Sequence, residues 1–173
     1  FLNVSTQVRE MLKSNAVPIV LNIGEEEDFK GIVDLVTNKA IIWHEDNFGS
    51  TFDEVPIPEN MVSDVEKYRA ELIEAVAEYD ENLLEKFFDD PDSISPEEIH
   101  EALRAATQDM SIIPMVCGSS FKNKGVQFLL DAVCRYLPSP EDKEAIVGTN
   151  PNNGDEISRK PTVNDPFAAL AFK

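Results

Sequence analysis

The feature that most constrains the fold is a strand, a loop and a helix in close succession. Residues 111–117 form a short apolar run that breaks at Gly118. Residues 126–137 are rich in apolar side chains and are stopped by Pro138 and Pro140, which cannot continue a helix. This order predicts a buried strand followed by a helix, as in an α/β sheet, where ligands bind beyond the carboxyl ends of the strands.

The loop between these two elements is therefore the first candidate site. It runs Gly118-Ser119-Ser120-Phe121-Lys122-Asn123-Lys124-Gly125. A Gly-Ser-Ser turn before a helix is most often a plain loop and helix cap, so these residues alone leave a ligand role open.

The first sixty residues predict a helix followed by a β-rich region. Residues 1–13 have apolar side chains at helical spacing, and residues 17–23 form an apolar run that ends at Gly24. Residues 29–36 and 40–43 flank a Thr37-Asn38-Lys39 turn, which predicts a hairpin, and residues 49–58 predict one more strand.

Three helices are predicted next, and the first of them carries charge on one side. Residues 60–79 have apolar positions within a narrow arc, with Glu71, Glu74 and Glu78 on the opposite face. Residues 83–88 indicate a second helix, and a capping box at Ser95 opens a third that runs to about Thr107. By itself the acidic stripe, Glu71, Glu74 and Glu78, has the composition of a solvated helix face.

Composition and charge limit the partners. The chain of 173 residues is 42% hydrophobic and has a net charge of -18, with 15 basic against 33 acidic residues. Such a charge repels nucleic acid, which is bound through clustered Lys and Arg, and favours a basic protein surface. No apolar run approaches the roughly 20 residues that span a bilayer, and the first residues have no secretory-signal pattern. We therefore expect a cytoplasmic protein with neither nucleic acid nor membrane as a direct partner.

Isolated reactive residues give little indication of catalysis. Cys117 and Cys134 lack CxxC spacing and are predicted to be reduced core thiols. His44 and His100 have no partner at catalytic or metal spacing, so we expect surface roles for both, while Trp43 is expected in a core or interface. The acidic turn after Gly24 fits no metal-loop spacing. We expect no catalytic residue and no metal ligand in this chain.

Residues 118–127, Leu130-Asp131-Ala132-Val133 and residues 136–140 closely follow one known family. They resemble bacterial elongation factor G, a translational GTPase. Val17-Pro18, residues 27–31, 33–35, 39–43, Asn60-Met61 and residues 166–173 are also similar to it, so almost the whole chain is covered. The resemblance implies an α/β fold: the last strand and helix of a P-loop GTPase domain, carrying an inserted α+β subdomain with a small antiparallel sheet and several helices.

The resemblance also implies a division of the chain. Residues 1–15 would be a helix of the GTPase domain, 16–110 the inserted G′ subdomain, 111–140 the end of the GTPase domain, 141–165 a linker and 166–173 the start of domain II. Because the sequence stops within an apolar run, we expect it to be an internal piece of a longer protein.

In the resembled family the strand-end loop is the fifth guanine-nucleotide motif, usually Ser-Ala-Leu or Ser-Ala-Lys. It corresponds to Ser119, Ser120 and Phe121 after Gly118, and Ser120 and Phe121 depart from it. The family uses main-chain N–H groups there, directed at guanine O6, so a serine in the middle should be tolerated. One such bond contributes about 0.5–1.5 kcal/mol, whereas micromolar affinity needs roughly 8 kcal/mol. This loop cannot hold GTP alone.

The resemblance implies partners as well. The family's G′ insertion meets the C-terminal domain of the ribosomal stalk protein, and Glu74 and Glu78 match its glutamates, with Glu71 beside them. The complete protein would act on the ribosome with GTP or GDP and magnesium. No ligand is expected on this piece. Related recycling, ribosome-protection or release factors remain alternatives, as does a stand-alone acidic protein-binding module.

The sequence predicts that this chain alone does not hydrolyse GTP. It has no GxxxxGK[ST] phosphate loop and no Asn-Lys-x-Asp motif, and the resemblance places both switches and the magnesium ligands outside it. Phosphate release from GTP by the purified chain should therefore equal the buffer blank. Turnover at a rate typical of an intact translational GTPase would contradict this prediction.

Overall fold

A computed structural model describes residues 1–44 and 49–169 of the chain. It divides into two compact units, Phe1–Leu137 and Pro138–Lys173. In the described part of the first unit the α-helices are α1 Leu2–Leu12, α2 Val62–Ala77, α3 Glu81–Asp89, α4 Pro96–Gln108 and α5 Val126–Tyr136. Its strands are β1 Ala16–Pro18, β2 Val20–Ile23, β3 Gly31–Asp34, β4 Lys39–Trp43, β5 Phe52–Val55 and β6 Ile113–Met115.

The predicted hairpin is confirmed as part of a four-stranded antiparallel sheet in the order β2-β3-β4-β5. Its turn is closed by Asp34, whose carboxylate accepts from the Val36 amide at 2.9 Å and from the Thr37 hydroxyl at 2.6 Å. Asn38 takes the left-handed conformation there, with φ 57°. A Cβ at Gly31 would lie 1.9 Å from the Ile41 carbonyl oxygen, so only glycine allows β3 and β4 to approach this closely.

The single strand predicted at residues 17–23 is wrong, because the segment changes sheets at Ile19. β1 pairs in parallel with β6, from Ala16 opposite Ile113 to Pro18 opposite Met115, whereas β2 belongs to the antiparallel sheet. The Ile19 amide donates to the Met115 carbonyl and its carbonyl accepts from the Leu35 amide, each at 3.0 Å. Ile19 is thus bonded to both sheets.

The helix predicted at residues 60–79 is confirmed as α2, preceded by a 3-10 turn at Glu59–Met61. It buries Val65, Leu72 and Val76 against the sheet and the helices that follow. Arg69 of α2 donates from its guanidinium to the Val36 carbonyl at 2.7 Å and to the Leu35 carbonyl. These bonds fix α2 to the end of β3.

The third predicted helix begins where the capping box places it. The Ser95 hydroxyl accepts from the Glu98 amide at 3.3 Å, and the Glu98 carboxylate accepts from the Ser95 amide at 3.0 Å. Lys86 of α3 donates to the same carboxylate. Together these bonds lower the pKa of Glu98 to about 2, the Lys86 bond being the largest cause.

The strand predicted as buried at residues 111–117 is shorter and more open than expected. β6 pairs only with β1 among the strands of the described residues, and Ile113 is 48% exposed. The helix that follows is confirmed as α5, but Leu129, Leu130 and Val133 are exposed while Tyr136 is buried.

The elements together confirm the predicted mixed α/β architecture with a small antiparallel sheet. Its assignment to a P-loop domain stays a prediction.

The second unit contains a hairpin that the linker interpretation did not predict. After a 3-10 turn at Pro140–Asp142, β7 Ile146–Thr149 pairs antiparallel with β8 Glu156–Arg159. Asn150 and Asp155 close it through a 2.8 Å backbone bond. Of the new element expected from residue 166, residues 170–173 lie outside the described residues. Within the described ranges, no helix has the length and apolarity needed to cross a membrane.

The low pKa of Glu98 predicts how stability depends on pH. Because the folded-state pKa lies below the usual value of 4.5, the stabilisation is present above pH 4.5 and is lost as the pH falls toward 2. Glu98→Gln keeps the capping-box geometry without the charge. In urea unfolding followed by circular dichroism, wild type should be more stable than the variant at pH 7, and the difference should shrink steadily below pH 4.5 and close only as the pH reaches the folded-state pKa of about 2. A gap that does not narrow on acidification contradicts the assignment.

Candidate functional site

The strand-end loop, residues 118–125, is a tight turn closed by a backbone bridge. Ser119 donates to the Lys124 carbonyl at 2.8 Å and Lys124 donates back to Ser119 at 3.0 Å. Asn123 and Gly125 have φ of 52° and 84°, the left-handed conformation that reverses the chain. A Cβ at Gly118 would lie 2.8 Å from the Lys124 carbonyl oxygen, so glycine is needed for the bridge to close.

Two main-chain donors of the loop are left without a partner among the described residues. Within the part of the chain that the structure describes, neither the Ser120 nor the Phe121 amide donates a hydrogen bond. The Phe121 side chain is 99% exposed, and the Ser119 hydroxyl is occupied by the Lys122 amide at 3.4 Å. The sequence-predicted residues Gly118, Ser119, Ser120 and Phe121 therefore lie together just beyond the carboxyl end of β6, with two amides available to an acceptor.

Two lysines connect this loop to the 24–29 turn that follows β2. Lys124 is 2% exposed, and its ammonium donates to the Phe29 carbonyl at 3.1 Å. Lys122 donates to the Glu27 carbonyl nearer the surface. Sequence reasoning missed both contacts, because a lysine in a polar loop gives no sign of burial.

The loop borders two open cavities. One of about 450 Å³ lies between the start of α1, the 24–29 turn and the loop, and is lined by Asn3, Glu25 and Ser119 among others. The other, of about 180 Å³, lies between the loop and α5. Cys117 borders both, and burial raises the pKa of its thiol to about 11. It is neutral at pH 7 and is no nucleophile.

The acidic stripe lies on the side of α2 away from the core. Glu74 and Glu78 are exposed, and Glu71 is half-buried. One Glu71 carboxylate oxygen is 4.0 Å from the Arg9 guanidinium, which also donates to the Ala16 carbonyl at 2.5 Å. Arg9 and the three glutamates border a groove of about 330 Å³ between α1, β1 and α2. The expected exposure holds for Glu74 and Glu78 and only in part for Glu71, and the role of the stripe stays a prediction.

The structure corrects the predictions for His100 and Cys134 and places Trp43 in the core, as expected. The surface role of His100 is wrong: its ring is half-buried, Nδ1 lies 2.7 Å from the Tyr136 hydroxyl, and burial lowers the pKa of His100. Cys134 is exposed instead of being a core thiol, because it lies on the open side of α5. Trp43 is in the core at 3% exposure.

The chain has close relatives among known proteins. A strand-end loop in a mixed α/β fold with an inserted antiparallel sheet is consistent with part of a GTPase-related protein. Over all 173 residues the chain is 61% identical to elongation factor G of Cytophaga hutchinsonii and 56% identical to elongation factor G of Amoebophilus asiaticus. The resemblance drawn from the sequence motifs is thus confirmed: the whole chain is homologous to a segment of elongation factor G.

The chain spans about a quarter of the length of these relatives, 25% and 24%. A crystal structure of a protein from Thermus thermophilus matches 91% of the chain with a TM-score of 0.68 at 25% sequence identity, over 24% of its own length. None of the protein-family models compared matches the chain.

The close contact at Gly118 predicts a specific sensitivity. Gly118→Ala would push a methyl group against the Lys124 carbonyl, so we expect about 1–3 kcal/mol of lost stability and faster hydrogen exchange at the Ser119 and Lys124 amides. Gly148→Ala is the control: a Cβ there meets nothing within 4 Å, and its effect should stay within about 0.5 kcal/mol. Unchanged exchange at both loop amides in Gly118→Ala would show that the bridge does not require glycine.

Proposed function

We propose that this chain is the segment of elongation factor G, the GTP-hydrolysing factor that catalyses ribosomal translocation of tRNA and mRNA, that carries two recognition surfaces. The strand-end loop contacts the guanine base, and the acidic stripe docks the C-terminal domain of the ribosomal stalk protein. Homology along the entire chain to proteins named elongation factor G supports the first part of this proposal. The geometry of each surface supports the second.

The observation that carries the nucleotide role is the pair of available amides at Ser120 and Phe121. Guanine presents an acceptor, O6, where adenine presents a donor, so main-chain N–H groups without an internal acceptor can select guanine. Because the donors are main-chain amides, the interaction does not depend on the side chains of Ser120 and Phe121. The departures from the usual motif at these two positions are therefore compatible with guanine binding. The bridge between Ser119 and Lys124 holds the turn so that the amides are preorganised.

The loop supplies only part of the nucleotide affinity in this proposal. Phosphate and magnesium contacts come from parts of the complete factor outside this chain. Among the described residues, no group of three or more His, Cys, Asp or Glu side chains is arranged to hold a metal ion. The contribution of the loop in this proposal is to distinguish the base.

The docking role rests on the exposure of Glu74 and Glu78. Glu74 lies in the last turn of α2 and Glu78 is the residue that follows the helix, four positions on; both are exposed, while Arg9 lies against Glu71 at the edge of the same groove. A basic partner can therefore engage two exposed carboxylates with one more beside them. Exposed ion pairs contribute only about 0–1 kcal/mol each, so the stripe acts chiefly on association rate and salt dependence.

The exposed apolar face of α5 favours a segment of a larger domain over a stand-alone acidic binding module. Leu129, Leu130 and Val133 are 46%, 59% and 42% exposed, and the strand before them pairs on one side only within the described sheets. An independent module would be expected to cover such side chains. A related recycling, ribosome-protection or release factor remains the alternative among translational GTPases.

Charge reversal tests the docking role. In Glu74→Lys/Glu78→Lys we expect the association rate with the stalk protein's C-terminal domain at low salt to fall by about tenfold or more, with little difference from wild type at high salt. Stopped-flow fluorescence at several salt concentrations measures this. A uniform loss at all salt concentrations would instead indicate a damaged fold.

The control is Glu85→Lys/Asp89→Lys on α3. These residues are also exposed and four positions apart, so the net charge changes by the same amount away from the acidic stripe. This variant should keep most of the wild-type association rate. Equal effects of the two double variants would mean that net charge alone matters, and would remove the assigned docking surface.

A further inference from the structure

We propose that Lys124 is a positioning residue for guanine selection, acting by fixing the strand-end loop to the 24–29 turn of the inserted segment. This inference rests on the proposed function of the loop and adds a residue outside its guanine motif. Lys124 does not contact the base in this proposal. It determines where the two available amides lie.

The position of Lys124 in the loop gives it direct control of the turn. Its main chain forms both bonds of the bridge to Ser119, at 2.8 and 3.0 Å. Asn123 donates to Ser120 at 3.1 Å within the same turn. Moving the backbone of Lys124 therefore moves the segment between Ser119 and Asn123, which carries the Ser120 and Phe121 amides.

The side chain of Lys124 fixes that backbone from outside the loop. It crosses to the 24–29 turn, where its ammonium donates to the Phe29 carbonyl at 3.1 Å. Phe29 is itself only 7% exposed, and the main-chain amide of the next residue, Lys30, donates to the Ile23 carbonyl at 2.9 Å. The acceptor is thus a fixed point at the end of β2 and β3, separated from the loop by about ninety residues of chain.

Stability alone does not explain a lysine at this depth. Desolvating an ammonium costs free energy, and well-packed apolar residues often replace buried charges without loss of stability. Methionine has a similar length and flexibility and would fill the same space. A directed bond from Lys124 to the Phe29 carbonyl fixes the position of the loop relative to the 24–29 turn. A fixed position of the amides is the property that base selection requires.

Lys122 provides an internal comparison. It reaches the same turn, at the Glu27 carbonyl, but its contact is exposed to solvent. A surface bond of this kind constrains a loop weakly because water competes for both partners. We therefore assign positioning to Lys124 and only a minor contribution to Lys122.

The test uses the complete factor and two nucleotides, GDP and 6-thio-GDP. The second keeps the N1–H and 2-amino groups and replaces O6 with sulfur, a weaker acceptor. Wild type should bind GDP more tightly, by roughly two- to tenfold for one hydrogen bond. In Lys124→Met the ratio of the two Kd values should fall to near one, and in Lys122→Met it should stay close to wild type. Displacement of a fluorescent GDP measures all three proteins.

The outcomes separate the inference from the function on which it rests. If wild type binds both nucleotides equally, the proposed O6 contact of the loop fails. If wild type discriminates and Lys124→Met keeps the same ratio, the positioning role is overturned. An equal loss of affinity for both nucleotides in Lys124→Met also overturns it, because that result means general damage to the site.

Hydrogen exchange on the 173-residue chain gives a second readout without nucleotide. Lys124→Met should speed exchange of the Ser119, Asn123 and Lys124 amides at least tenfold and leave the amides of Leu72 and Leu103 in the helical core unchanged. No change in the loop contradicts the inference. A parallel rise in core and loop also contradicts it, since Lys124 would then act on stability as a whole.

Discussion

The parallel pairing of β1 with β6 is the constraint on which the first unit depends. Three residues at 16–18 bond three residues at 113–115, so the intervening chain must leave and return at one place. The entropic cost of closing a loop rises only slowly with its length, and here the intervening chain folds into its own sheet and helices. Ile19 links the two parts by bonding Met115 on one side and Leu35 on the other. This pairing brings the loop after β6 beside the turn after β2.

That proximity gives the strand-end loop its support. A free eight-residue loop would sample many conformations, and ordering it on binding would cost free energy. Here a backbone bridge closes it, a glycine permits the closure, and Lys124 reaches the Phe29 carbonyl from a buried position. The inserted segment therefore contributes to the loop's conformation as well as carrying the acidic stripe. The two surfaces in the proposed function share one scaffold, although they act through different forces.

Local patterns predicted most of the elements and few of the contacts between them. The Asp34 to Asn38 turn, the capping box at Ser95 and the proline stop after α5 are short-range features, and each lies where the sequence indicated. The switch of sheets at Ile19 and the burial of Lys124 depend on contacts with residues about 95 positions away, Met115 and Phe29, which periodicity cannot detect. His100 looked like a surface residue because its partner, Tyr136, lies on another helix. The β7–β8 hairpin was missed because its two strands are only four residues long, are largely exposed and lie in a segment rich in Asn, Gly, Asp and Pro.

The two proposed surfaces should tolerate substitution differently. In the proposed function the loop acts through main-chain amides, so Ser120 and Phe121 should tolerate substitution that keeps the backbone in place, whereas the close contact at Gly118 and the bond from Lys124 to the Phe29 carbonyl constrain that backbone. In the proposed function the acidic stripe acts through side-chain charge, so replacing Glu74 or Glu78 with aspartate should have a modest effect, because the local field stays negative. The residues that look most like a motif are therefore not the ones on which loop geometry depends. The proposal thus gives the loop geometry to a lysine outside the guanine motif and to the glycine before it.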